Sequence, residues 1–320
     1  MPPLIRLIPA AVAAAALLAA CTSTGSTGSS ASGTPSRSAA PSASRAGTFP
    51  VTIDTPAGPI TVSKQPQRIV SLSPSATETL FAIGAGPVIV AADEYSNFPA
   101  EAPAKKGLSG FQPNVEAVAA FKPDLVVVSN DANGIVAGMK KLGVPTLVSP
   151  APTTIEAGFD TMAALGLATG RLDETAATVA RLRAEVAAAL AKAPKGDRLR
   201  IYHELDPSLF SASSSSFIGD VYRALGATNI ADAADKDKTG YPKLTAEAII
   251  AADPQVIVIT DQTSATVENV AKRPGWAGVS AVKNGAIVSV NADIASRWGP
   301  RLPQLITVLA GALESAKVKS

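Results

Sequence analysis

Two glutamates occupy one position of a segment that the chain writes twice. Asn114–Asp131 reads NVEAVAAFKPDLVVVSND and Thr245–Asp261 reads TAEAIIAADPQVIVITD. At one constant offset Glu116 falls on Glu247, Pro123 on Pro254, Leu125 on Val256, Val128 on Ile259 and Asp131 on Gln262. Each Glu lies in the first turn of a predicted helix, where the helix dipole stabilises a carboxylate by about 0.3–1 kcal/mol. That effect favours an acid in either copy but does not single out the same position in both. Other chemistry is sparse. Cys21 and His203 are the only cysteine and histidine, so no intrachain disulfide forms and a zinc site has too few ligands. No G-x-S-x-G elbow and no P-loop is present, and GAGPV after Ile83 lacks the third glycine of a dinucleotide fingerprint. No catalytic residue, cofactor or metal ligand is assigned.

The elements that position these glutamates follow from local pattern. Val115, Val118, Ala119 and Phe121 give a short amphipathic helical pattern that Pro123 stops, because proline disfavours helix in the residue before it. Leu125–Val128 is then a continuous apolar, β-branched run, the signature of a strand buried on both faces. A second echo links Leu80–Gly86 (LFAIGAG) with Val221–Thr228 (VYRALGAT). Strands are expected at Arg68–Leu72, Val88–Ala91, Thr146–Val148, Leu199–Tyr202 and Ala286–Val290. Helices are expected at Ala76–Ile83, Gly134–Leu142, Phe217–Leu225, Val267–Lys272 and Leu302–Ala316, and a hairpin at Phe49–Val62. Strands alternating with helices mean parallel sheets. Between the two halves lie a helix over Thr154–Thr169 and a longer one over Glu174–Ala193, with Asp173 as its N-cap. The fold class is therefore α/β: two lobes, each with a central mostly parallel sheet flanked by helices, joined by one long rigid helix. A cleft between such lobes is a common place for a small-molecule site.

The N-terminus reads as targeting rather than fold. Arg6 precedes an Ala/Leu-rich run of about 14 residues, too short to span a bilayer, which needs roughly 20. It ends Leu18-Ala19-Ala20-Cys21, which resembles a bacterial lipoprotein signal with Cys21 as the lipidated mature N-terminus. Thr22–Thr48 is Ser, Thr, Gly, Ala and Pro with almost nothing to bury, a tether. The expected divisions are a signal at 1–20, a tether at 21–48, an N-terminal lobe at 49–153, a helical region at 154–196 and a C-terminal lobe at 197–320. The expected location is extracytoplasmic, on the cell membrane.

The 320 residues are 47% hydrophobic, enough for two cores, and carry a formal net charge of +2 with no basic run, which argues against nucleic acid as a partner. Aromatic residues make up only 4%, so each one outside a core pattern matters.

RIVSLSPSATETLFAIGAG, NVEAVAAFKPDLVVV, SSFIGDVYRALGATNI and AEAIIAADPQVIVIT together resemble the substrate-binding proteins of ABC importers for cobalamin, ferric siderophores and haem, over Phe49–Ala316. The resemblance implies two lobes joined by a single long helix. It implies that Glu116 and Glu247 dock onto arginines of a permease dimer by charge-assisted pairing. It further implies a metal chelate, corrinoid or ferric siderophore, held in the cleft by Tyr95, Phe111, Phe210, Tyr241, Asp293, Arg297 and Trp298. Satellite core packing is the alternative for Phe111 and Phe210, and a core anchor for Trp298. His203, in a polar cluster with Glu204 and Asp206, is either a hydrogen-bonded structural group or a contact to the chelate. Cobalamin is the first choice of ligand, a ferric hydroxamate second and haem third.

Overall fold

The computed structural model describes residues 47–194, 198–260 and 265–319. The signal at 1–20, Cys21, nearly all of the tether, and Asp261 and Gln262 of the second repeat lie outside the described residues.

The chain opens with an antiparallel hairpin, β1 (Val51–Ile53) and β2 (Ile60–Val62). Then follow β3 (Ile69–Leu72), α1 (Pro74–Ala82), β4 (Ile89–Ala92), α2 (Val115–Ala119), β5 (Leu125–Val128), α3 (Ile135–Lys141) and β6 (Thr146–Val148). Two longer helices come next, α4 (Ile155–Thr169) and α5 (Leu172–Leu190). The second half is β7 (Arg200–Glu204), α6 (Phe217–Ala224), β8 (Thr228–Asn229), α7 (Ala246–Ala252), β9 (Val256–Ile259), α8 (Val267–Ala271), α9 (Ser280–Lys283), β10 (Ile287–Ser289), α10 (Ala292–Ser296) and α11 (Leu302–Lys319).

The halves share one topology. The first sheet runs β4-β3-β5-β6 and the second β8-β7-β9-β10, all parallel. The repeated strands β5 and β9 therefore hold the same interior place, and all four residues of each are buried, as their apolar runs require. Each such Val, Ile or Leu contributes about 1.5–3 kcal/mol through burial. Helix starts match as well. Ser73 and Ser216 cap α1 and α6, and Asn114 and Thr245 cap α2 and α7, each side-chain oxygen accepting from an amide of the first turn.

The joint contains the expected long helix and a partner for it. Ile155, Phe159 and Met162 of α4 pack into the second lobe's core, whereas Leu165 and Ala168 pack into the first lobe's. The chain then turns at Gly170, left-handed at φ 67°, and α5 runs back. Near its start Thr178 Oγ1 donates to Ala82 O of α1, and near its end Leu182, Val186 and Ala189 join the second core. Asp173 is not the N-cap. The turn at Gly170 delivers Arg171 as the residue before the helix, with no side-chain cap, and Asp173 and Glu174 instead place negative charge in the first turn.

Candidate functional site

In a parallel sheet all strands end at one edge, and the helices that follow begin there. Ligands of open α/β sheets bind outside that carboxyl edge. In the first lobe this edge carries the loop after β4, with Tyr95, and the approach to α2, with Phe111. Tyr95 and Phe111 meet edge to face at 5.8 Å between centroids, and they are 52% and 75% exposed. In the second lobe it carries Phe210 and Tyr241, 39% and 48% exposed. Ser211 N donates to Pro242 O and Leu244 N to Leu209 O, which hold these two aromatic residues on one backbone patch. Phe111 and Phe210 are therefore not core satellites. Trp298 is half-buried and packs against the second lobe's core.

The loops are held by carboxylates at their bases. Asp235 accepts from Ser213 Oγ, from Thr239 N at 2.8 Å and from Gly240 N at 3.0 Å, which fixes the backbone entering Tyr241. These bonds, the Ser213 hydroxyl first, keep the Asp235 carboxyl below the usual range. Asp93 plays the corresponding part for the first lobe. Its Oδ1 accepts from Tyr95 N at 2.8 Å, while its buried Oδ2 has no partner among the described residues. Gly110 comes so near that a Cβ there would meet Leu72 O at 2.3 Å and Asp93 Oδ2 at 3.3 Å, so only glycine carries the chain into Phe111.

The two carboxyl edges touch at one end. Asn97 Nδ2, after β4, donates to Asp293 Oδ2 at 2.7 Å, and Arg297 Nη2 donates to Tyr95 O at 2.9 Å. Arg297 is buried, and its guanidinium pairs with Glu78 and Asp293. A cavity of about 710 Å³ lies elsewhere, beside α1 and β4 and lined by Phe81, Ile89 and Phe98. It contains none of the four exposed carboxyl-edge aromatic residues, so the open cleft remains the candidate.

Glu116 and Glu247 are both exposed, each in the first turn of its helix at the carboxyl edge. Tyr241 stands six residues before Glu247 and Phe111 five before Glu116, so each lobe sets an exposed aromatic beside an exposed acid. The Glu247 carboxyl is held below its ordinary range by its own backbone N–H and by the Thr245 hydroxyl.

The sequence family described as "Periplasmic binding protein" matches residues 69–294. The chain belongs to this family. The periplasmic binding protein is 33% identical over 288 residues to a cobalamin-binding protein of Halobacterium salinarum, covering 86% of this chain and 77% of that one. It is 29% identical over 272 residues to an uncharacterised ABC transporter substrate-binding lipoprotein of Bacillus subtilis, covering 82% and 85%. Among solved structures it resembles a possible iron-binding (periplasmic solute-binding) protein of Staphylococcus epidermidis, with a TM-score of 0.69, 27% identity, and 78% and 99% of the two chains covered.

His203 and Glu204 of the polar cluster at the end of β7 are buried and do not line the cleft. His203 is 1% exposed, with Nδ1 hydrogen-bonded to Tyr222 OH at 2.5 Å, and burial lowers its pKa to about 4. Glu204 is fully buried and held by Arg273 through bonds of 2.6 and 2.7 Å. Asp206 accepts from Ser208 N within its own turn. The structural reading of His203 therefore holds. Asp93, Asp235, Glu78 and Asn97 were missed. The available signal was Glu78, an acid inside the otherwise neutral helix PSATETLFA.

Asp93 has a pH consequence. Burial raises its carboxyl from 3.8 to about 6, against the opposing pull of the Tyr95 amide, Ser96 and Arg297. The folded protein thus holds this proton more tightly than the unfolded chain, so this group adds stability as pH falls from 8 towards 5. Asp93→Asn mimics the protonated acid and lacks that gain. Its stability relative to wild type should be about 1 kcal/mol better at pH 8 than at pH 5 by urea denaturation. A difference that does not change with pH would contradict the assignment.

Proposed function

We propose that this chain captures a metal chelate, cobalamin first, in the cleft between its lobes and delivers it to the permease dimer of an ABC importer. The observation that carries this reading is one pair of exposed aromatic residues on each carboxyl edge, Tyr95 with Phe111 and Phe210 with Tyr241. Flat aromatic faces suit a large ring or chelate, and Asp293 and Trp298 border the space from the second lobe, with Arg297 buried behind Asp293. The name of the Halobacterium relative favours cobalamin. The possible iron-binding structural relative favours a ferric siderophore as the second reading. Haem through His203 is disfavoured by its burial. A catecholate is disfavoured because Arg297 and Arg301 both pair with Glu78.

Titration with cyanocobalamin, a ferrichrome-type chelate and haemin tests the reading. Half-buried Trp298 serves as the fluorescence reporter, whereas Trp276 is buried in the second core. Cyanocobalamin should bind in preference to the others. Preference for the ferric chelate would move the ligand assignment, and no response to any of the three would end it.

The anchor proposed is a lipid on Cys21, with the protein outside the cytoplasm. It rests on the signal pattern and on the lipoprotein named from Bacillus. No helix among the described residues is long and apolar enough to cross a membrane. Cys21→Ser should move the protein from the membrane to the soluble fraction on cell fractionation, and retention equal to wild type would refute the anchor.

A further inference from the structure

Glu78 lies on α1 of the first lobe, 1% exposed, where an unpaired carboxylate would be strongly disfavoured. Its partners come from the other lobe. Arg301 donates from Nε to Oε2 at 2.8 Å and from Nη2 to Oε1 at 2.5 Å, and Arg297 Nη1 donates to Oε1 at 2.9 Å. Arg297 then reaches further. Nη1 also donates to Asn97 Oδ1 at 2.8 Å, and Nη2 donates to Tyr95 O at 2.9 Å and to Asp293 Oδ1 at 2.7 Å. Both terminal nitrogens of Arg297 therefore have a partner for every proton. Asn97 Nδ2 closes the ring on Asp293 Oδ2. With two acids and two arginines the cluster is formally neutral.

Burying such a cluster gives little net stability, since desolvation offsets the attraction. It gives geometry instead, because each donor direction is fixed. We infer that Glu78 and Arg297 are positioning residues. Together they form a latch between the lobes that holds Tyr95 and Asp293 in place before ligand arrives. This inference rests on the cleft reading above for its effect on ligand. Arg297 acts on the ligand through Tyr95 and Asp293, not by offering a free guanidinium. Fixing both lobes' contacts in advance lowers the ordering cost of binding.

The test is Glu78→Gln in the full chain, which keeps shape and removes charge. Hydrogen exchange of the ligand-free protein should speed up at least tenfold in the segments around Tyr95–Asn97 and Asp293–Arg297, while β5 and β9 stay protected. Affinity for cyanocobalamin should fall about tenfold or more, and bound cyanocobalamin should restore protection around Tyr95. Should Glu78→Gln fail to fold, Asn97→Ala cuts the exposed side of the same ring and should loosen the same two segments. Unchanged exchange there in a folded variant overturns the latch. Faster exchange spread evenly over both sheets also overturns it, since that is a purely structural role. If wild type binds none of cyanocobalamin, the ferrichrome-type chelate and haemin, the cleft reading fails, while the exchange experiment still decides the latch.

Discussion

Glu116→Ala combined with Glu247→Ala should leave ligand affinity unchanged and abolish ligand-stimulated transport by the importer. Both acids are exposed, so neither substitution opens a core. Both helices keep their caps, because Asn114 and Thr245 supply the side-chain oxygens that close the first turns. What disappears is one negative charge at the same place on each of two lobes of like topology. A permease of two paired subunits would meet those charges with two basic sites, and charges at such a rim steer and orient association. Substitution by arginine should be worse, because like charges then repel. The competing account is local: Glu247 bonds its own helix amide and Thr245, as a dipole partner would. Affinity and transport measured in the same double variant separate the two. Normal transport would leave the acids as dipole partners only, and loss of affinity would place them in the cleft.

Tyr241→Ala should weaken chelate binding by about 1–3 kcal/mol, or about 5- to 150-fold, with little change in thermal stability. The side chain is about half exposed, so removing it leaves no core cavity. Its backbone is held independently, by Asp235 through Thr239 and Gly240 and by the pairing of Pro242 with Ser211. The ring is therefore presented in advance, and truncation removes contact area without freeing the loop. Isothermal titration of the folded variant measures the effect. Wild-type affinity would place the ligand elsewhere, with the 710 Å³ cavity beside α1 the next site to test.

What could be read in the sequence had a periodic or repetitive cause. The strands at Leu125–Val128 and Val256–Ile259 were visible because burial on both faces demands unbroken apolar runs. The equivalence of Glu116 and Glu247 was visible because one module occurs twice. Exposed Tyr95, Phe111, Phe210 and Tyr241 were findable because each interrupts a polar loop. The ring around Glu78 was not findable, since Glu78 meets Arg297 and Arg301 from more than 200 positions away and no local pattern records such a pairing. The strand Thr228–Asn229 and the helix Ala292–Ser296 were also missed, being too short for any period to register. His203 remained open because a strand end is equally consistent with burial and with a cleft until Tyr222 is placed beside it.

The path of the chain through α4 and α5 means that no single cut yields two self-sufficient halves. A fragment ending after β6 would lack Leu165 and Ala168, which complete its own core from further along the chain. A fragment beginning at β7 would lack Ile155, Phe159, Met162, Leu182 and Val186. Each half borrows its last core side chains from residues that lie, in sequence, on the far side of the other's contribution. Lobes that look like two domains are thus knit into one cooperative unit, and heating should melt them in one transition, not two.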